Sequence, residues 1–260
     1  MTQQLFLRTV TVMRYILPLR EGGSLPALAE ADDDFKYVLK FRGAGHGVKM
    51  LISELLGGKI AEKLGLRIPE LVFANLDVDF GRTEADEEIQ DLLKFSEGLN
   101  LALHFLSGAI AYDSSVKIDP FLASKIVWLD CFITNIDRTF KNTNLLMWHK
   151  ELWIIDNGAS FYFHHSWQNF DAAAKTPFKY VKDHVLLSQA SQLNEADISA
   201  KEILNDDFFR ELVNLIPEDW LQWNDADENA EEIREIYFQF LKTRLANSEI
   251  FLKEAQNARG

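Results

Sequence analysis

The chain has almost nothing with which to cross-link itself: one cysteine, Cys131, in 260 residues. An internal disulfide is excluded, and a reducing compartment fits. Cys131 falls in an apolar helical pattern, the setting of a small buried residue. Positive charge is also short. Lys and Arg number 27 against 40 Asp and Glu, for a formal net charge of −13. Non-specific nucleic-acid binding rests on neutralising phosphates, and docking on anionic lipid needs clustered Lys and Arg. Neither nucleic acid nor membrane is therefore expected as a direct partner. A nucleotide site is still allowed, because a small basic site can sit on an acidic body. Apolar runs long enough to span a bilayer are missing. The opening Met-Thr-Gln-Gln-Leu-Phe-Leu-Arg lacks the charged-then-apolar layout of a secretion signal. The expectation is a cytoplasmic protein. What remains, 47% hydrophobic and 26% charged, is ordinary for a globular chain and enough for one domain or two lobes sharing a cleft.

The chemistry concentrates between Asn135 and Gly158. The stretch reads Asn-Ile-Asp-Arg-Thr-Phe-Lys-Asn-Thr-Asn, then Leu-Leu-Met-Trp, then Glu-Leu-Trp-Ile-Ile-Asp-Asn-Gly. Two short strand patterns lie inside it, with His149 and Lys150 as the turn. Phosphoryl transfer needs one carboxylate to orient the accepting hydroxyl, and an amide oxygen and a second carboxylate to hold a metal on the phosphates. Kinases place four residues between their catalytic Asp and metal-binding Asn. Asp137 and Asn142 have that spacing, and Asp156 follows a strand and precedes Asn157-Gly158, where kinases carry the second metal-binding Asp. Asn, Asp and Gly also favour turns for backbone reasons alone. Turn chemistry does not account for an apolar helix, this loop and a hairpin in that order.

Asn-Ile-Asp-Arg-x-x-x-Asn followed by Ile-Asp-Asn-Gly resembles the HipA-like kinase family, and more distantly is similar to the phosphoinositide kinases. The net charge weighs against the latter. The resemblance covers about Gly22 to His165 and implies an α+β, two-lobed protein-kinase-like fold with a β-rich N-lobe and a helical C-lobe. The expected division is residues 1–106, binding nucleotide, and 107–260, catalytic and helical. It implies ATP and Mg2+ as cofactors, transfer to a Ser or Thr hydroxyl of a protein substrate, and an antitoxin-like partner. Full HipA toxins are longer and carry an additional N-terminal piece, so this chain looks like a compact relative. The catalytic residues carry over better than a toxin–antitoxin role or a tRNA synthetase target. Arg138 follows the Asp instead of preceding it, which departs from protein kinases and agrees with the HipA-like pattern.

In the N-terminal half, residues 5–18 read as one or two strands. Gly22-Gly23-Ser24 forms a turn whose backbone N–H groups can approach a phosphate, or simply a flexible turn. Lys40 ends the strand pattern 35–41 and resembles the kinase Lys that pairs with ATP phosphates. A helix is expected from about Val48 to Leu64, with Ile52, Leu55, Leu56, Ile60 and Leu64 as its buried stripe. Glu54, fourteen residues after Lys40, is the candidate for the helix Glu that pairs with it, with Glu62 as fallback. Gly43-Ala44-Gly45-His46-Gly47 between strand and helix raises a dinucleotide-binding unit as a rival. Its glycine spacing and the lysines of the preceding strand argue against that, and Asp77 and Asp79 lie further on than the about twenty residues expected of a ribose-binding acid. A strand is expected over Pro69–Val78, a short exposed helix within 81–97, and a strand over Gly98–Phe105. By order, the last would cross between lobes and offer its backbone to adenine.

In the C-terminal half, Asp119 is an N-cap and Pro120 suits the first helical position. Leu122, Ile126, Leu129 and Ile133 then share one face of a buried helix that delivers the loop. Asp137 would orient or deprotonate the acceptor. Asn142 and Asp156 would bind Mg2+, with Asn144 as an alternative to Asn142. Arg138 would hold the loop or a phosphate, or form a structural ion pair. His164 and His165 read as polar or core residues, because neighbours on a strand point apart. A helix around Leu204–Leu215 and one long final helix over Ile233–Leu252 complete the chain. A small-molecule kinase and a pseudokinase acting as a binding module are the alternatives. The complete set Lys40, Asp137, Asn142 and Asp156 argues against the pseudokinase.

Overall fold

The structure, a computed structural model, describes residues 5–19, 25–45, 47–78, 80, 86–165, 169–223 and 227–260. Gly22, Gly23 and Ser24, with His46, Asp79, residues 81–85 and 166–168, lie outside the described residues.

Strands come first. β1 (Thr9–Pro18), β2 (Ala27–Ala31), β3 (Lys36–Lys40), β4 (Leu71–Leu76) and β5 (Gly98–His104) close into a barrel in the order β1-β2-β3-β5-β4. β1, β3, β4 and β5 were legible as patterns; β2 and the closure were not. Closure depends on β1 meeting β4 in parallel, from Thr9 opposite Phe73 to Thr11 opposite Asn75, while every other pair is antiparallel. Alternate residues of a strand share a face. In β2 that inward face is Ala27, Ala29 and Ala31, small enough to leave room for Tyr37, Leu39 and Val72 in the same interior.

This topology removes the dinucleotide-binding alternative. That unit needs parallel strands joined through the helix, whereas β3 is antiparallel to both neighbours. Gly43 serves packing instead: a Cβ there would lie 2.7 Å from the backbone carbon of Phe95, at the end of α2 (Glu87–Phe95). The expected exposed helix is half right, since Leu93 of α2 is buried against the barrel interior.

α1 (Gly47–Lys63) is buried on nearly every side from Met50 to Ala61. Its apolar residues join a core continuous with the helical half. That half contains β6 (Ile110–Ala111), α3 (Pro120–Ile133), the hairpin β7 (Leu145–Trp148) and β8 (Glu151–Ile154), α4 (Phe170–Ala174), α5 (Leu193–Ile203), α6 (Asp206–Asn214), α7 (Ala230–Ala246) and α8 (Ser248–Arg259). Asp119 caps α3 by accepting from Leu122 N–H at 2.8 Å, with Pro120 in the first turn. The expected single final helix is two. Asn247 breaks it because its side-chain amide donates to Thr243 O at 2.7 Å, competing with the helical ladder.

Trp220 ties the two halves together: its indole N–H donates to Leu99 O at 3.0 Å, and its ring stands edge-on to Phe73 of β4. Among the described residues no helix is long and apolar enough to cross a membrane.

Candidate active site

A cleft of about 770 Å³ opens where the barrel meets the helical half, within the range of small-molecule sites. Lys40, Asp137, Asn142, Asn144 and Asp156 all line it, brought together from positions up to 116 residues apart.

Lys40 ends β3 with its side chain buried. Its ammonium donates to Glu54 Oε2 at 2.8 Å and to Asp156 Oδ1 at 2.5 Å. The same Glu54 oxygen accepts from Asn157 N–H at 2.8 Å. α1 thereby clamps the Asp156-Asn157-Gly158 turn to β3. Glu62, the fallback, is exposed and paired with Lys59. The approach of helix to turn needs Gly57, where a Cβ would stand 2.8 Å from Asn157 Cβ and 3.1 Å from Ile133 Cδ1.

One ammonium here serves two carboxylates. Burial opposes the charge on Lys40, but Asp156 and Glu54 outweigh it and hold the amine above its ordinary value. Burial also opposes the charge on Asp156, and Lys40 outweighs it, keeping that carboxyl below the usual range. Glu54 takes the shortfall: burial pushes it up, Lys40 offsets only part, and Asp156 adds to the rise. Its second oxygen, Oε1, is buried with no hydrogen-bond partner among the described residues. The Asp156 side chain keeps 38% exposure, so it faces the cleft rather than the core.

Asp137 sits on the loop after α3. Thr134, at the end of that helix, is left-handed (φ 58), which turns the chain sharply into the loop. Asn142 Nδ2 donates to Asp137 Oδ2 at 2.8 Å, and Asn144 Nδ2 to the same oxygen at 3.2 Å. A carboxylate oxygen only accepts, so both amides present their nitrogens to Asp137 and turn their oxygens away. Asn142 and Asn144 therefore share an orientation. Asn144 and Asp156 are both left-handed, at φ 47 and 55. Such conformations cost energy in non-glycine residues and cluster at functional sites. The hairpin between them closes on His149 and Lys150, φ 49 and 65, the two positive dihedrals of a tight type I′ turn.

Arg138 is structural. Its guanidinium is buried, with Nε donating to Asp130 Oδ2 at 2.6 Å and Nη2 to Asn157 Oδ1 at 3.0 Å. Nη1 donates to Ile155 O at 3.0 Å and to Asn144 O at 2.5 Å. One planar fork thus holds both ends of the hairpin against α3. Burial would raise the Asp130 carboxyl, but Arg138 and His184 hold it below its ordinary value. Leu186 N–H donates to His184 Nδ1 at 3.0 Å, so Nε2 carries the ring proton and donates to Asp130 Oδ2 at 2.8 Å. Sequence reasoning missed Asp130 and His184 and gave Asn135 and Asn157 no role, although Asn135 donates to Asp130 Oδ1 at 3.0 Å and accepts from Asp137 N–H at 3.1 Å. Asp130 had a signal, an acid inside the apolar run Trp128–Ile133; His184 had none.

Two expectations are corrected. Both edges of β5 are taken, by β3 and by β4, so its backbone has no edge for a ligand. Leu103 and His104 at the end of β5 line the cleft, together with Phe105, Leu106, Gly108 and Ala109 beyond it. Tyr162–His165 is a 3-10 turn, not a strand, and His164 is buried with Nδ1 at 2.9 Å from Tyr237 Oη.

The residues suit a nucleotide with a hard divalent cation. No cluster of three or more His, Cys, Asp or Glu able to hold a metal by itself occurs among the described residues. The side-chain oxygen donors that border the cleft include the carboxylates of Asp156 and Asp137 and the amides of Asn142 and Asn144. Such a sparse oxygen set matches Mg2+, which keeps waters and takes the rest of its ligands from phosphates.

A family model described as HipA-like kinase matches residues 12–252. The crystal structure of a Helicobacter pylori proinflammatory kinase, CtkA, is similar with a TM-score of 0.56 and 13% identity, covering 96% of this chain and 98% of that one. A structure of the Golgi casein kinase gives 0.47 and 10%, over 98% and 73%. Its Mn/ADP-bound form gives 0.46 and 11%, over 98% and 74%. The first of these likenesses shows a shared fold, mixed α and β with the sheet N-terminal and the helices C-terminal. Comparison with curated protein sequences gives no match.

Proposed function

The chain belongs to the HipA-like kinase family, whose model spans residues 12–252, and on that premise we propose that it uses Mg-ATP to phosphorylate a Ser or Thr hydroxyl of a protein. The observation that carries the reading is the meeting, in one cleft, of the Lys40–Glu54–Asp156 triad with Asp137 and its two asparagines. We divide the chain into a nucleotide-binding lobe, 1–106, and a catalytic lobe, 107–260, which places the boundary in the segment after β5 that lines the cleft.

Lys40 has three N–H donors, and Glu54 and Asp156 engage two. The third is left for a phosphate oxygen. Asp156 and the amide oxygen of Asn142, or of Asn144 in the same orientation, would hold the metal. Bound Mg-ATP supplies the transferable γ-phosphoryl group and the cation that neutralises its charge. Asp137 has Oδ2 committed to Asn142 and Asn144. Its Oδ1 orients the acceptor hydroxyl and takes its proton as that oxygen bonds to phosphorus and the bond to the ADP oxygen breaks. Arg138 ties the loop to both hairpin ends, which supports a fixed placement of Asp137 relative to Asp156.

The test is transfer from γ-labelled ATP with Mg2+ into host lysate and a small-molecule panel, comparing wild type with Asp137→Asn. The expected result is label on a protein band, lost at least 100-fold in the variant at unchanged stability, the order of a positioned acid–base group. Label only on a small molecule would favour a metabolite kinase. ATP binding without transfer would favour a pseudokinase.

A further inference from the structure

The segment between α4 and α5 runs beside the loop that carries Asp137. Thr139 and His184 form a single antiparallel bridge, and Val185 N–H donates to Arg138 O at 3.1 Å. Just before that bridge, Lys179–Asp183 makes one 3-10 turn. Three residues per turn put Lys179 and Lys182 on one face. Val181 is buried beneath, while Lys179, Tyr180 and Lys182 are exposed. Lys141 is exposed on the catalytic loop itself, next to Asn142. Two aromatic rings stand out among these lysines, Phe140 at 62% exposure and Tyr180 at 61%.

Among the described residues none of Lys141, Lys179 and Lys182 has an ion-pair partner. Elsewhere on the helical half Lys175, Lys201 and Lys242 are each held by a carboxylate, while Lys117, Lys150 and Lys253 also have no ion pair among the described residues but lie away from the loop in sequence or on the hairpin turn. The acidic groups on the same segment are Asp171, engaged by Lys175 at 2.7 Å, and Asp183, one position round the turn from Lys182. A chain of net charge −13 thus carries three cations without an ion-pair partner among the described residues, one on the loop of the candidate catalytic carboxylate and two on the segment bridged to that loop. On an acidic body such a patch attracts anions locally while the remaining surface repels them.

We propose that this patch docks acidic side chains flanking the acceptor hydroxyl, so that the substrate is an acidic Ser- or Thr-containing peptide segment. Phe140 and Tyr180 pack on its apolar atoms, and Lys179 and Lys182 face its carboxylates. The inference rests on the kinase reading above and adds the substrate class. A peptide segment suits the patch better than RNA, whose continuous phosphate chain would run on from three lysines onto acidic surface.

The experiment uses the full chain and a Ser peptide flanked by Glu, with matched Gln-flanked and Lys-flanked versions. kcat/KM is measured for wild type and for Lys179→Glu/Lys182→Glu. The wild type should favour the Glu over the Gln peptide by about tenfold, the size of two exposed charge pairs, with the margin shrinking at high salt. The double variant should reverse the order in favour of the Lys peptide. Binding of the Glu peptide with Ala in place of Ser, followed by fluorescence anisotropy, separates docking from chemistry. Equal use of Glu and Gln peptides, or a preference the double variant leaves intact, overturns the docking surface and spares the kinase. Binding of the Ala peptide, weakened in the double variant, with no transfer to any peptide keeps the docking surface and sinks the kinase reading. Neither binding nor transfer overturns both. Capture of a mixed-sequence RNA oligonucleotide with the acidic peptide left unbound also overturns it.

Discussion

Lys40 is the residue whose replacement has the least simple consequence. Removing it takes away the cation that bonds to both of two acidic groups, one of them fully buried. Leaving a buried charge uncompensated costs about 3–5 kcal/mol. Lys40→Met is therefore expected to lose that much stability in urea denaturation, and Lys40→Met with Glu54→Leu to recover part of it. A Lys40→Met protein as stable as wild type would show that the triad carries no such strain. Loss of transfer in Lys40→Met thus reports unfolding as much as chemistry. Asp137 is a cleaner probe: it is half-buried and its side-chain bonds come from Asn142 and Asn144, which border the cleft. At this scale Lys40, Glu54, Asp137, Asn142 and Asp156 were legible because the chemistry demands those residue types at those intervals. His184 acts through Asp130, and Asp130 through Arg138 and Asn135, so no reaction chemistry marks them in advance.

α1 is the element on which the site depends. It delivers Glu54 to Lys40 and to the Asp156-Asn157-Gly158 turn, and it can come that close only because residue 57 has no side chain. Gly57→Ala places a methyl against Asn157 Cβ, an atom fixed to the backbone. The gain in helix propensity, about 1 kcal/mol, is outweighed by overpacking, typically 1–3 kcal/mol. We expect a net loss of up to about 2 kcal/mol by denaturation and at least a tenfold fall in transfer, because the displaced helix carries Glu54 away from Lys40. A stable, fully active Gly57→Ala would mean that α1 can shift without cost to the triad. The helix and its Glu could be read from periodicity and spacing. The need for glycine could not, since it arises from a turn exactly one hundred residues later. The last helix shows the opposite limit: its apolar stripe continues past Asn247, and the break comes from a local side-chain bond that periodicity does not register.

For the whole molecule the cleft is the outcome of closure. The barrel buries its own interior cluster, α1 joins the helical core, and the segment after β5 lines the space between. Ligand binding to the folded state alone adds about 2.7 kcal/mol of stability at one hundred times Kd. A non-hydrolysable ATP analogue with Mg2+ should therefore raise the thermal midpoint, and chelation of the metal should remove most of the gain. An equal rise with and without metal would count against Asp156 and Asn142 as metal ligands. Asp156→Asn should also abolish the metal-dependent part while leaving some nucleotide binding through Lys40.

What the sequence by itself determined is the local and the chemical: four barrel strands and the main helices from periodicity, the cap at Asp119 and Pro120, the hairpin turn at His149 and Lys150, and a set of candidate site residues with their spacing. These depend on near neighbours or on what phosphoryl transfer requires, and both are written along the chain. The tertiary structure decided what depends on distant partners. It closed the strands into a barrel through one parallel pair, took both edges of β5, and gave Arg138 a buried role between α3 and the hairpin. It also brought the segment that carries Lys179 and Lys182 against the loop of Asp137 and Lys141. Each of these rests on surfaces meeting across many residues, where burial and pairing outweigh local preference.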